Sequence, residues 1–394
     1  MMSATVTSLT VVLIVVFLFK EGIGVFGHSP IEEEYVIGLN SHNNIKKVNA
    51  EDVKNIFDAK IIYWNEIEGR HSASGRAVPE DSIITFRLDD ITNYYSEEEL
   101  GSEYEHLGEK INELVEKTPG IIAYFPKKYL APDFNGRLLP LQKITLTNFL
   151  AGKEWFPTAH PAAQLGVLPL ILGTLWVSLG AILIALPLGL ATAIYMAEIA
   201  NEKTRRVLKP IIELLAGIPS VVYGFFGLVV IVPLIQQFFN LPVGETGLAG
   251  SIILGIMALP TIITISEDAL RTTPRAMKEA SLALGATKWQ TIYRVVVPYS
   301  SSGISAAAIL GIGRAIGETM AVLMVTGNAS IIPHTLLEPL RTIPATIAAE
   351  LGEAQQGGLH YQALFALGCI LFIMTLIVNL SVEFVASRKK HSKR

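Results

Sequence analysis

A single cysteine among 394 residues, Cys369, leaves no disulfide possible within the chain. Charge is scarce as well. Only 17% of residues are charged, against 51% hydrophobic, and mean hydropathy is +0.45. A soluble domain carries roughly 25% charged residues, so this composition excludes an ordinary soluble globule and points to a polytopic membrane protein. No charge falls between Val295 and Gly313, and none between Thr319 and Leu337. The chain also lacks a phosphate-binding loop of the G-x-x-x-x-G-K-[ST] kind. Its nearest match, Gly152-Lys153, runs on into Glu154. Histidines 28, 42, 71, 106, 160, 334 and 360 show no metal-ligand spacing, so no metal site is assigned.

What is present is a set of long apolar runs. A spanning helix needs about 20 mostly apolar residues. Six runs qualify: Thr5–Phe26, Val167–Ala197, Ile211–Ile235, Leu248–Ile265, Ser300–Val325 and Ala363–Val382. The first is read as an uncleaved anchor. MMSATVTS carries no Lys or Arg, and GVFGHSP offers no small-x-small cleavage site. Lys and Arg in short loops mark the cytoplasmic side. They gather in Glu198–Lys209, in Glu267–Arg294 and in the tail 388–394, which six spans place on one face. Residues 28–165 instead hold 14 Lys/Arg against 22 Asp/Glu. Both termini are therefore expected inside, and the acidic region outside. The expected division is an anchor over 1–27, an extracytoplasmic insert over 28–160, a membrane core over 161–387 and a basic tail over 388–394.

The insert reads as a small α/β domain. Tyr35–Leu39, Ile83–Phe86 and Ile121–Phe125 look like strands. Asn49 can cap a helix reaching Phe57. Ser102–Thr118 reads as a helix with Tyr104, Leu107, Ile111, Leu114 and Val115 on one face. Further on, Thr342–Glu350 reads as an amphipathic helix lying at the outer surface.

Two stretches carry chemistry. In Glu267–Pro298, Thr273 and Pro274 start a short helix that runs to about Leu284, and Gly285 supplies a left-handed cap. Thr287 to Gln290 forms a capping box. A second helix follows, with Trp289, Ile292, Tyr293 and Val296 on one face. A loop with its own capped helices and an exposed aromatic suits a docking surface. The other stretch is Gly313-Arg-Ala-Ile-Gly-Glu-Thr-Met-Ala-Val322. Arg314 falls about 21 Å along the helix from Ser300, where a buried charge is costly and faces a bundle interior or a water-filled path. Glu318 lies one turn on and can pair with it. Gly311, Gly313 and Gly317 permit close helix packing. One reading is an ion pair that fixes packing. The other is a station for an oxyanion, which the planar guanidinium can grip with two bonds.

Glu279-Ala280-Ser281 followed by Gly285 resembles the EAA loop of ABC-transporter permeases. GRAIGETMAV, with Gly217-Ile-Pro-Ser-Val-Val-Tyr-Gly224 and Pro169–Leu190, resembles the C-type (PstC) permeases of phosphate ABC importers, over roughly 160–385. The resemblance implies an α-helical polytopic protein of about six spans, with the type I importer permease fold, carrying an inserted extracytoplasmic α/β domain. It implies a transport subunit of the cell inner membrane, not an enzyme. Arg314, Glu318 and Thr319 would line the substrate path. Glu279, Ala280, Ser281, Gly285 and Trp289 would couple to an ATPase, and Gly217, Pro219 and Gly224 would form a hinge or kink. It implies no cofactor on this chain, since ATP and Mg belong to the ATPase. The partners implied are a second homologous permease, two ATPase subunits, an extracytoplasmic phosphate-binding protein and membrane lipid, with no nucleic acid. A permease for another oxyanion, such as molybdate, sulfate or phosphonate, is an alternative, since one arginine does not by itself select phosphate. A membrane sensor reading ligand through 28–160 is a further alternative. Pieces of the insert, Asn49–Asn65 and Thr118–Phe125, resemble a phosphate-binding protein. However, Leu-Asp-Asp follows Arg87 where that family has its phosphate-holding turn. The insert then reads as a lobe that has lost its ligand and serves as a dock, an entrance or a spacer.

Overall fold

The computed structural model describes residues 2–43, 45, 48–67, 82–101 and 104–391. His71 and the last three residues of the basic tail lie outside them. The chain forms two compact units, one comprising Gly24–Gly152 with Phe156–Gly166, the other the first helix, Lys153–Trp155 and everything from Val167 onward.

The smaller unit is built on a four-stranded sheet, in the order Ile84–Arg87, Ile121–Pro126, Tyr35–Leu39, Arg137–Leu138. The first two strands are parallel, and the other pairings are antiparallel, with Val36 opposite Phe125. Alternation along Ile121–Pro126 decides the layers. Ile122 and Tyr124 join Ile37, Leu39, Val53, Ile56 and Trp64 in one core. Ile121, Ala123 and Phe125 join Phe86, Ile111 and Val115 in another. Burial on both faces explains why this strand reads as a continuous apolar run. Asn49 caps Ala50–Phe57 as expected, accepting from the Asp52 N–H at 2.7 Å. The other helix is shorter than expected, Leu107–Lys117, because Tyr104 adopts a left-handed φ of +59°. Tyr104 is therefore exposed instead of sharing the buried face. Asn40 donates to the carbonyls of Val115 at 2.8 Å and Glu116 at 2.9 Å, answering backbone acceptors that the helix end leaves unpaired.

The larger unit is helical. Among the described residues, five helices are long and apolar enough to cross a membrane, or six if one bent pair counts as a span. The Met2–Ile23 helix packs on Leu359–His391 through a Phe17–Phe365 edge contact, and the Cys369 thiol points at the Leu18 carbonyl. Leu168–Ile194 and Gly247–Arg271 form the central pair, and Ser251 donates to the Val177 carbonyl between them.

Three expected elements differ. The run Ile211–Ile235 is not one helix: Glu202–Gly217 ends at Ile218–Pro219, and the apolar span Ser220–Phe239 begins after it. Proline removes the donor that would continue the ladder. The run Ser300–Val325 is also broken. Ser301–Gly317 bends 69° away from Lys288–Tyr299, Glu318 is extended, and a short helix resumes at Met320–Val325. Finally, Ile343–Glu350 is not a surface helix, since Ile343, Pro344, Ala345 and Thr346 are all buried.

Candidate translocation path and coupling surface

The break after Gly317 organises the first site. Arg314 lies in the last turn of its helix and is exposed. Among the described residues it makes no ion pair or hydrogen bond. The expected pairing with Glu318 is absent, because the helix stops before Glu318 can reach the same face. Glu318 has an extended backbone, φ −72° and ψ 134°. The terminal carbonyls of the broken helix compensate part of the arginine charge, since a helix C-terminus carries about half a negative charge. Thr319 bends back to donate to the Gly317 carbonyl at 3.3 Å. Gly317 and Thr319 open onto a cleft of about 480 Å³, completed by Pro344, Ile347, Leu351 and Leu371. The expected close packing through Gly313 and Gly317 is not realised. Gly317 has no neighbour within 4 Å of where a side chain would begin, whereas Gly311 lies against Ile262 and Ile182.

The hinge residues stand beside this site. Tyr223 donates to the Leu215 carbonyl at 2.9 Å, bridging the Gly217–Pro219 break. A side chain at Gly224 would meet the Ala321 backbone at 3.0 Å, so only glycine lets Ser220–Phe226 approach Met320–Val325 this closely. Gly217 has open space around it.

The loop after Arg271 follows its local signals almost residue by residue. Arg275–Ala283 is a helix, and Gly285 has φ +85°. The Gly285 and Ala286 amides bond back to the Leu282 and Ser281 carbonyls, closing the helix. Thr287 and Gln290 bond reciprocally at 3.2 and 2.8 Å. Two details differ. Thr273 is not the cap: it is buried and shares a 3.1 Å hydrogen bond with Ser300, while Pro274 takes the cap position. The four residues expected on one face divide into two pairs. Ile292 and Val296 are buried, and Trp289 and Tyr293 are exposed, each pair one turn apart. Ser281 bonds to Thr291 at 3.0 Å, tying the two helices of the loop together. Glu279 and Ala280 are exposed. Leu284 is 90% and Trp289 62% exposed, with Met277, Leu282 and Tyr293 also open.

In the smaller unit, the turn Leu88–Asn93 follows Arg87, and Asp90 accepts the Arg87 N–H at 3.0 Å. A carboxylate of the chain itself therefore occupies the turn where an oxyanion would need donors.

Sequence reasoning missed two charge clusters. In one, Glu350 accepts from Arg341 at 2.7 Å and from Trp155 at 3.0 Å, and bonds to His360 at 2.9 Å. Burial alone would raise the Glu350 carboxyl, but the His360 and Trp155 hydrogen bonds and the Arg341 charge outweigh it and hold it below the usual range. Arg341 and Glu350 are nine residues apart and His360 a further ten, and Trp155 is distant in sequence, so no local pattern announced the cluster. In the other, Glu267 draws in Arg205 and Arg271. Only the four-residue spacing of Glu267 and Arg271 was visible in advance.

Residues 185–391 match the family described as binding-protein-dependent transport system inner membrane component. The chain belongs to this family. Its relatives include a probable ABC transporter permease protein YqgH of Bacillus subtilis, 43% identical over 61% of this chain and 78% of that protein. Phosphate transport system permease proteins PstC are also similar. That of Mesorhizobium japonicum is 39% identical over 61% of this chain and 78% of that protein, and that of Pasteurella multocida 38% over 59% and 77%. Among solved structures, the inward-facing MetNI methionine ABC transporter aligns with TM-score 0.43 and 21% identity, over 57% of this chain and 94% of that one. The permease is a multi-pass membrane component of an ABC importer, a transport subunit and not an enzyme.

Proposed function

We propose that this permease forms half of the path of an ATP-driven phosphate importer. The observation that carries the reading is Arg314: an exposed guanidinium, without a partner among the described residues, in the last turn before a break whose Gly317 and Thr319 line a cleft. A partner-free guanidinium suits a doubly bonded oxyanion. Glu318 stands four residues on and limits how tightly an anion is held, so that it can be released. Thr319 adds a hydroxyl. That relatives at 38–39% identity are named phosphate permeases favours phosphate over other oxyanions. A second, homologous permease would complete the path. Energy would come from two ATPase subunits docked on the Glu279–Gly285 helix end and Trp289, with ATP and Mg bound there and not on this chain. Gly217, Pro219 and Gly224 would allow the third span to pivot. The acidic α/β unit, 28–160, would face outward and receive a separate phosphate-binding protein, with both termini in the cytoplasm.

The test is ATP-dependent uptake of radiolabelled phosphate by the reconstituted complex. Unlabelled molybdate and sulfate serve as competitors, and Arg314→Gln is assayed beside the parent. Losing two charge-assisted bonds at roughly 1.5–3 kcal/mol each should lower uptake at least about tenfold. Uptake that persists in Arg314→Gln removes the arginine from the path. No phosphate uptake even by the parent moves the substrate to another oxyanion.

A further inference from the structure

The cytoplasmic ends of the helices are tied by charge. Glu267, at the end of the Gly247–Arg271 span, has a side chain only 2% exposed. Its Oε1 lies 3.0 Å from Arg271 Nη2, one turn on, and 3.3 Å from Arg205 Nε. Neither contact has hydrogen-bond geometry, so the attraction is Coulombic. Four residues past Arg271 the docking helix Arg275–Ala283 begins, and its Lys278 reaches Glu198 at 2.5 Å. Glu198 and Arg205 flank Asn201, which caps the Glu202–Gly217 helix by accepting from the Thr204 N–H at 2.8 Å. One pair links the docking helix to Glu198, at the end of the preceding span, and the other links Glu267 to Arg205 near the start of the helix, so the start of Glu202–Gly217 is held on both sides along the chain. That helix runs to Gly217, and the Tyr223–Leu215 hydrogen bond links its far end to the span packed against Met320–Val325.

We propose that Arg205, Glu267, Arg271, Lys278 and Glu198 form a charge latch that makes the Glu202–Gly217 helix follow the docking helix. Movement imposed by the ATPase would then reach the Pro219 hinge and the Arg314 site. The idea rests on the reading of Arg275–Ala283 and Trp289 as the ATPase dock. The physical argument is that an anchor just before a helix start and a second just inside it restrain the helix more than one pair can, since a single pair fixes only one distance. A buried carboxylate at 2% exposure is also little screened by solvent or salt, so its hold persists as the loop moves. These are positioning residues: none touches substrate or nucleotide.

The test uses the assembled complex in proteoliposomes, with Arg205→Gln, Glu267→Gln and the exchange of Glu198→Lys with Lys278→Glu. The readouts are ATP hydrolysed, phosphate moved per ATP, and ATP-dependent maleimide labelling of Ala216→Cys in a Cys369→Ala background. Ala216 is exposed on the followed helix. For Arg205→Gln and Glu267→Gln the latch predicts hydrolysis within about twofold of the parent, phosphate moved per ATP down about tenfold, and no ATP-dependent change in labelling. The exchanged pair should recover most of what either single change loses. Transport per ATP that stays at the parent value overturns the proposal. So does hydrolysis falling in step with transport, or an exchange that fails as badly as its single changes, because each marks a purely structural role. The labelling does not depend on the substrate, so a wrong phosphate assignment leaves the latch testable. If Trp289→Ala leaves the ATPase bound, the dock itself is wrong and the latch falls with it.

Discussion

Replacing Trp289 with alanine removes the largest exposed side chain of the docking loop. Trp289 is 62% exposed. An indole offers up to about 250 Å², so about 150 Å² is free to be covered by a partner. At about 25 cal/mol per Å² that surface is worth at most about 4 kcal/mol. Aromatic anchors at interface centres lose about 2–4 kcal/mol when truncated. The ATPase should therefore bind the Trp289→Ala permease roughly 30- to 900-fold more weakly. The assay is titration of purified ATPase into the permease held in lipid nanodiscs. Folding of the permease should not change, because Trp289 packs on little of its own chain. Ile292 provides the contrast. It is only 3% exposed and three residues away, so Ile292→Ala should lower permease stability by about 2–5 kcal/mol. Binding of ATPase to Trp289→Ala within about threefold of the parent would refute the docking argument.

Gly285→Ala should destabilise the loop by about 1–2 kcal/mol, because alanine must adopt φ +85° there; the readout is faster amide exchange over Arg275–Ala283, with the spans unaffected. Glu350→Gln should lower the melting temperature of the permease by an amount equivalent to about 1.5–3 kcal/mol, since it leaves the partly buried Arg341 without its charge partner. The same carboxyl sets an acid limit. Its folded value lies below the ordinary 4.5, so its contribution is full above that value and disappears as pH falls through the lower folded one. The parent should therefore lose melting temperature on acidification below pH about 4.5, and Glu350→Gln should lose less. A parent and variant that shift in parallel would refute this account. Arg314→Lys should retain part of the uptake that Arg314→Gln loses, because lysine keeps the charge without the planar fork.

How much was legible follows from the range of each interaction. Caps and turns depend on neighbours within four residues, so Asn49, Gly285 and the Thr287–Gln290 box were readable and formed as read. Strands with continuous apolar runs, such as Ile121–Pro126, were readable for the same reason. Thr273 misled because Ser300, far along the chain, competes for its hydroxyl. Hydropathy cannot distinguish one long helix from two with a bend, so the breaks at Ile218–Pro219 and Glu318 were hidden inside apolar runs. The cluster around Glu350 draws on four separate segments and had no local signature at all.

The Arg314 site turns on the break that hydropathy concealed. A continuous helix would have stacked Glu318 one turn beyond Arg314 and neutralised it, leaving little reason for an anion to enter. The chain ends the helix at Gly317, where a side chain would meet no other part of the fold within 4 Å, and extends the Glu318 backbone. Arg314 then depends on the terminal carbonyls of its own helix, worth about 0.3–1 kcal/mol to a cation. That is too little to bind the guanidinium firmly and enough to help keep it in place. A transport site needs this balance, because an anion must find the arginine unoccupied and must also be released from it. The refuting case is a variant that closes the break. Replacing Gly317 with alanine favours helix by about 1 kcal/mol. If that change restores an Arg314–Glu318 contact, measurable as tighter pairing in a double-mutant cycle, phosphate uptake should fall with the coupling energy. If uptake is indifferent to the pairing, the broken helix serves architecture and the arginine's freedom is incidental.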